Sequence, residues 1–301
     1  MKKTILIFGV SSFLGSNLLE ALKDEFRVVG TYFKTPVSIP GVTCIPCDVL
    51  KKDYVTRITS YVNPDITIYA VGMSSLKECQ LYPKKADTLN YAGAVNCCKA
   101  SERNSSKFIY ISSAFVMSGL NPLYHEGETP FPTTVYGNTV SSTEFYIQRS
   151  SLNYLILRCA PLYGRGFNPS HPNWFECLQL NLSQNIPVIA DDFVSTGFLD
   201  VQIMAKILLE TIKQNVTNRL FHVGTTNMMT RYEFAKLYAA KFKKDESLIQ
   251  KGNGNFPSEP KSDSSSYKFQ LATTNVEDFL NLQMPTIEES LDFTHKRLVE
   301  N

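Results

Sequence analysis

The 301 residues carry 30 Lys and Arg against 28 Asp and Glu, a formal net charge of +2, with 43% hydrophobic and 19% charged residues. That balance excludes a disordered chain and gives no bulk field for a nucleic-acid partner. The longest apolar runs, such as Thr4 to Val10, fall well short of the about 20 residues that cross a bilayer. Seven cysteines, an odd number scattered along the chain, do not make a disulfide framework. The expectation is a cytoplasmic protein with neither a membrane nor a nucleic acid as partner.

The first third alternates short apolar runs with amphipathic stretches. Ile5 to Gly9 reads as a strand, and Leu14, Leu18, Leu19 and Leu22 then recur at helical spacing. Further strands are expected at Phe26 to Phe33, Thr43 to Cys47 and Ile66 to Val71. A long helix over Ala86 to Glu102 leads into a strand at Phe108 to Ser112. A helix from about Tyr136 to Ser150 and a strand at Tyr154 to Cys159 continue the pattern. Continuous apolar strands divided by amphipathic helices predict an α/β fold, a Rossmann-type doubly wound parallel sheet covered on both faces.

Beyond Gly164 the texture turns loop-like and includes the only Trp. Residues 1–165 therefore read as the dinucleotide-binding domain. Residues 166–301 read as a smaller C-terminal substrate-binding region, with segments near 191–218 returning to the sheet. Thr230 with Glu233, Thr274 with Glu277, and Thr286 with Glu289 have the spacing of capping boxes and mark later helix starts. Lys251 to Lys268, rich in Gly, Ser, Pro and charge, reads as a surface loop.

The first strand runs into GVSSFLG, with Gly9, Ser12 and Gly15 at the spacing G-x-x-S-x-x-G and a helix following. A pyrophosphate site needs a tight turn, close backbone approach and a helix N-terminus. Gly9, Ser12, Phe13, Leu14 and Gly15 are therefore the expected cofactor turn. An acid at the end of the second strand would bond the adenosine ribose. The sequence there is GTYFK, so Tyr32 stands near the acidic slot and Lys34 follows. With no carboxylate to repel a 2′-phosphate and a cation to pair with it, NADP is preferred, with NAD possible. Cys44 and Cys47 form a C-x-x-C without a second pair, His171 is one of four scattered histidines, and no metal site is expected.

The strand at Phe108 to Ser112 opens into ISSAFVMSG, and VYGNTVSSTE follows further on. With these segments the chain resembles the extended short-chain dehydrogenase/reductase superfamily, in its dTDP-4-dehydrorhamnose reductase branch. The resemblance also rests on Cys47 to Val49, Pro64–Asp65, Asn90, Tyr124 to Glu126, Glu144, Leu157–Arg158 and Asp191–Asp192. It implies that Ser113 hydrogen-bonds the substrate carbonyl or hydroxyl and that Tyr136 is the proton donor or acceptor beside it. It further implies that Asp48 and Val49 lie along the adenine, and that Ala70 and Val71 line the pyrophosphate and ribose path, with Asn90 supporting them. Pro161, Leu162 and Tyr163 become the nicotinamide and substrate floor. Asn173, beside Trp174, falls where related enzymes hold a nucleotide-sugar diphosphate. A homodimer through Ala86–Glu102 and Tyr136–Ser150 is implied as well.

One departure divides the functional reading. The family has a lysine one helical turn after the tyrosine, where its ammonium lowers the phenol pKa and grips the nicotinamide ribose. This chain has Val140 there. One reading is an NADP-dependent oxidoreductase acting on a nucleotide-linked keto sugar, with reduction less impaired than oxidation because only oxidation needs the phenolate. The other is a catalytically impaired cofactor-binding regulatory or scaffold subunit, as in the β subunit of methionine adenosyltransferase, which this branch resembles.

Overall fold

The computed structural model describes residues 2–150, 153–168, 172–253 and 266–299. His171 and residues 254–265 of the Gly-, Ser- and Pro-rich segment lie outside the described residues. In chain order the first elements are β1 (Thr4–Phe8), α1 (Phe13–Leu22), β2 (Arg27–Tyr32), β3 (Thr43–Pro46), α2 (Lys52–Val62) and β4 (Ile66–Tyr69). Next come α3 (Leu76–Leu81), α4 (Pro83–Asp87), α5 (Ala94–Arg103), β5 (Lys107–Ser113), α6 (Val135–Arg149) and β6 (Tyr154–Cys159). The later part contains β7 (Leu162–Tyr163), α7 (Trp174–Ser183), β8 (Val188–Ala190), β9 (Val194–Thr196), β10 (Leu199–Asp200), α8 (Val201–Lys213) and β11 (Arg219–Val223). It ends with α9 (Arg231–Lys241), β12 (Ile249–Lys251), β13 (Tyr267–Phe269), α10 (Thr274–Leu280) and α11 (Ile287–Val299).

Seven strands form one parallel sheet in the order β11-β6-β5-β4-β1-β2-β3. Successive residues point to opposite faces, so both faces must be apolar to be covered. In β1, Leu6 and Phe8 enter one core while Ile5 and Ile7 enter the other, and β5 and β6 divide in the same way. The chain leaves β1 toward β2 and β3, then returns to place β4 on the other side of β1. The crevice at that reversal, outside the strand C-termini, is where such sheets take ligands. The later chain adds β11 as an outer strand, just past the 191–218 stretch expected to return, while α8 packs against α1. A third core joins α7, α9 and α11 through Tyr163, Phe175, Phe198, Phe234 and Leu291. Asp200 ties this part to α11: its Oδ2 accepts from Arg297 at 2.7 Å and from Thr294.

Two local expectations are corrected, and one helix is added. The helix expected over Ala86 to Glu102 is interrupted by a π-helical turn at Thr88–Gly93. Tyr69, from β4, donates its hydroxyl to the Leu89 carbonyl at 2.6 Å, and a Cβ on Gly93 would stand 2.6 Å from that same hydroxyl. The residue capping α10 is Thr273, so Thr274 is already helical, and the Thr273 hydroxyl bonds the Glu277 carboxylate. Helix α2, with no capping side chain, was missed; Val55, Ile58 and Thr59 form its buried face. The pairs Thr230–Glu233 and Thr286–Glu289 do bond reciprocally. No helix among the described residues is long and apolar enough to cross a membrane, and all seven cysteines are unpaired.

Glu144 on α6 and Arg158 on β6, 1% and 2% exposed, form a buried ion pair. Arg158 donates from Nε at 2.9 Å and Nη2 at 2.7 Å, Ser112 at the end of β5 donates its hydroxyl to the same carboxylate, and His222 lies 3.4 Å from Nη1. Removing one partner strands the other charge in the interior. Glu144→Ala is expected to cost about 3–5 kcal/mol in denaturant unfolding; a loss under about 1 kcal/mol would mean that water already screens the pair.

Candidate active site

The Gly-rich turn connects β1 to α1. Gly9 has φ +95°, and a Cβ there would meet Val71 Cγ2 at 2.7 Å and the Ala70 carbonyl oxygen at 2.9 Å. A Cβ on Gly15 would stand 2.1 Å from the Gly9 carbonyl oxygen, so this glycine sets the close approach of α1 to the strand. Ser12 is the N-cap of α1: its Oγ accepts from Gly15 N at 2.9 Å and donates to the Ala70 carbonyl at 2.9 Å. That hydroxyl therefore closes the turn and links it to the end of β4. Tyr32 ends β2, and the exposed Lys34 lies with its Nζ 5.4 Å over the Phe33 ring. Asp48 accepts from Leu50 N, and Val49 is buried beneath α5.

Asn90 sits in the π turn, 3% exposed, and its amide is fully engaged: Oδ1 accepts from Met73 N, while Nδ2 donates to the Met73 carbonyl and to Thr139 Oγ1. It joins the segment after β4 to α6. Ser113, the last residue of β5, accepts from Phe115 N at 3.3 Å, which leaves its hydroxyl hydrogen to donate. Tyr136, in the first turn of α6, lines the same cavity as Ser113. Burial pushes the Tyr136 phenol up to about 12; the nearby Ser113 hydroxyl opposes the rise and the nearby Cys79 and Cys159 thiols add to it. Val140, one turn along the helix, is 3% exposed and packed in the core against β5. Among the described residues no cation offsets the cost of ionising the phenol.

Phe13, Leu14, Ser113, Tyr136, Pro161, Leu162, Asn173 and Trp174 line one cavity of about 440 Å³. Gly9, Gly15 and Ala70–Val71 form the turn and strand end behind it, while Tyr32, Lys34, Asp48 and Val49 are not among its lining residues. Asn173 is the N-cap of α7, in a capping box with Glu176 that a search for hydroxyl caps missed. Its Oδ1 accepts from Phe175 N and Glu176 N, and its Nδ2 donates to the Gly164 carbonyl, so its amide holds the helix end that faces the cavity. Ser74, Ser75 and Arg231 also line the cavity and were not anticipated. Thr230 marked the start of α9 in the sequence, but nothing local showed that this helix end points at Trp174. No group of His, Cys, Asp and Glu among the described residues could hold a metal ion.

A parallel sheet with a glycine turn at its switch point, and a serine and a tyrosine lining one cavity beyond it, define the extended short-chain dehydrogenase/reductase class. The chain belongs to the family described as the RmlD substrate binding domain, whose model matches residues 1–299. It is 26% identical over 264 residues to a dTDP-4-dehydrorhamnose reductase of Aggregatibacter actinomycetemcomitans, covering 84% of this chain and 82% of that protein. It is also 26% identical over 246 residues to the methionine adenosyltransferase 2 subunit beta of Bos taurus, covering 80% and 72%. Among solved structures, dTDP-4-dehydrorhamnose reductase from Bacillus anthracis in complex with NADP superimposes over 100% of both chains with a TM-score of 0.83 at 20% identity.

Tyr136 is expected to remain a phenol throughout the neutral range. The difference in phenolate absorbance between wild type and Tyr136→Phe should stay flat to about pH 11, about one unit past an unperturbed tyrosine. A phenolate signal from Tyr136 by about pH 9 would contradict the assigned environment.

Proposed function

We propose that the protein is an NADP-dependent reductase of a nucleotide-linked keto sugar, of the dTDP-4-dehydrorhamnose reductase type. The carrying observation is that Ser113 and Tyr136 share one cavity with Phe13 and Leu14 of the glycine turn. The turn fits a dinucleotide: Gly9 has the positive φ and Gly15 the lack of a side chain that close backbone approach requires. In this reading Ala70 and Val71 flank the pyrophosphate and ribose, Asp48 and Val49 the adenine, and Pro161 the nicotinamide. Tyr32 and Lys34 meet the 2′-phosphate, which favours NADP over NAD. Bound there, the reduced cofactor supplies the hydride.

The chain's own residues do the rest. Ser113 donates a hydrogen bond to the substrate carbonyl oxygen and fixes it beside Tyr136. As hydride reaches the carbonyl carbon, negative charge grows on that oxygen and Tyr136 Oη gives up its proton to it. The product is the alcohol, and the phenolate left behind takes a proton from solvent. Without a cation one turn away, the phenol rests in the protonated form that reduction consumes. Alcohol oxidation must start from the phenolate, which is scarce at neutral pH. The cofactor-binding subunit without chemistry is the second reading, and Val140 is what favours it; the retained Ser113–Tyr136 pair weighs against it.

A cytoplasmic homodimer through the stretches Ala86–Glu102 and Tyr136–Ser150 belongs to the same proposal. Phe145 is 61% exposed there, and Tyr91 packs edge-on to Tyr146. Light scattering at micromolar concentration should give twice the chain mass, and a monomer would remove this part of the proposal.

Tyr136→Phe is expected to cut keto-sugar reduction about 10²–10⁴-fold while NADP still binds more tightly than NAD. Val140→Lys should raise alcohol oxidation more than ketone reduction, since an ammonium on the same helical face lowers the phenol pKa. Wild type and the lysine variant both inert on dTDP- and UDP-keto sugars, with NADP bound, would leave the cofactor-binding subunit as the function.

A further inference from the structure

A second cavity, of about 590 Å³, opens over the buried Glu144–Arg158 pair and shares no lining residue with the first. That volume falls within the about 300–1,000 Å³ typical of small-molecule sites. Glu144 and Arg158 line it although each is almost wholly buried, so they form its floor. Its walls come from the end of α4, the π turn and α6, through Asp87, Tyr91, Ser141, Ser142, Phe145 and Gln148. One hydrogen bond joins the two cavities, because Ser112, which lines the first, donates to Glu144 in the second.

What the polar groups of this lining have left to give selects the ligand. Arg158 is the only cation among the described lining residues, and Glu144 already neutralises it. The Asp87 carboxylate makes no hydrogen bond or ion pair to a described residue, so the cavity's own charge is negative. A phosphate or a nucleotide is disfavoured there. The Gln148 amide and the hydroxyls of Tyr91, Ser141 and Ser142 are equally unspent on described residues. Each of these groups both donates and accepts, as the hydroxyls of a neutral sugar do, and a carboxylate can accept from two neighbouring hydroxyls at once. The Tyr91 ring, edge-on to Tyr146 at 6.5 Å, and the Phe145 ring, 61% exposed, supply apolar surface for the C–H face of a pyranose. An amine would use the free carboxylate but leave the hydroxyl donors idle.

We propose that this cavity binds a neutral pyranose sugar, with Asp87 and Gln148 taking its hydroxyls and Tyr91 and Phe145 its apolar face. The site is separate from the reductase reading and does not depend on it. Its floor is the ion pair that fixes α6 against the sheet, so a bound sugar sits against the helix that carries Tyr136. The same side chains belong to the stretches proposed to meet a second copy, and that copy is the competing occupant.

Saturation-transfer NMR and calorimetry of the full-length protein with glucose, galactose and rhamnose test it, with glucose 6-phosphate and glucosamine as charged controls. At least one neutral sugar is expected to bind, and Asp87→Ala to weaken it about 10- to 100-fold, the range of charge-assisted hydrogen bonds. Asp87→Asn should recover part of that loss, and Phe145→Ala should cost about 3- to 10-fold. NADP affinity should stay within about twofold in each variant, and glucose 6-phosphate should bind more weakly than glucose. No neutral sugar bound at about 10 mM, unchanged affinity in Asp87→Ala, or glucosamine bound more than about tenfold tighter than glucose would each overturn the assignment. A wild-type dimer that binds no sugar, beside a monomeric Phe145→Ala, would make the second copy the occupant and overturn it as well. Sugar bound through Asp87 without any keto-sugar turnover would uphold this site and leave the reductase reading to fail alone.

Discussion

The site depends on how α6 is held against the sheet. Gly137 lets the helix start in contact with the turn after β5; a Cβ there would stand 2.0 Å from the Phe115 carbonyl oxygen. Two turns on, Glu144 is gripped by Arg158 and receives the Ser112 hydroxyl, so one carboxylate pins the helix, β6 and the end of β5 together. Between these points Thr139 accepts from Asn90, which also holds Met73 after β4. A buried ion pair of this kind adds little net stability over an apolar replacement, because both charges lose their water. What it fixes is direction: Ser113 follows Ser112, and Tyr136 precedes Gly137, so the two side chains share one cavity because the helix has only one way to sit.

Much of this was legible in the sequence, and the physical reason is locality. Two-residue alternation in β1, β5 and β6 reports which face each side chain enters, and the Gly9 to Gly15 spacing reports a turn whose geometry is set within seven residues. The reading was weaker wherever a side chain's duty depends on a distant partner. The sequence places Asn173 where a ligand would lie, yet its amide is spent on the α7 cap. Asn90 bonds to Met73 and Thr139, far along the chain in both directions. Tyr69 opens the π turn in what periodicity alone presents as one long helix. Arg231 carried no local mark of function, because its meaning comes from sharing a cavity with Trp174.

Val140 is legible in both senses. The spacing from Tyr136 shows at once that the expected ammonium is missing, and the structure adds that the valine is sealed in the core, with no other cation among the described residues acting on the phenol in its place. The consequence is an asymmetry between the two directions of the reaction. A phenol pushed up to about 12 is present in full as an acid at neutral pH, whereas as a base it is nearly absent. Loss of the lysine leaves in place the acid that reduction consumes, and the serine and tyrosine have reason to be retained together.

The direct test is the pH dependence of both directions with one nucleotide-sugar pair at saturating cofactor. The account predicts a rate of ketone reduction nearly flat from about pH 6 to 10 and a rate of alcohol oxidation that climbs about tenfold per unit across the upper part of that range, with no plateau below about pH 11. An oxidation rate that levels off near neutral pH would mean that the Tyr136 phenolate is already formed there, and would contradict it.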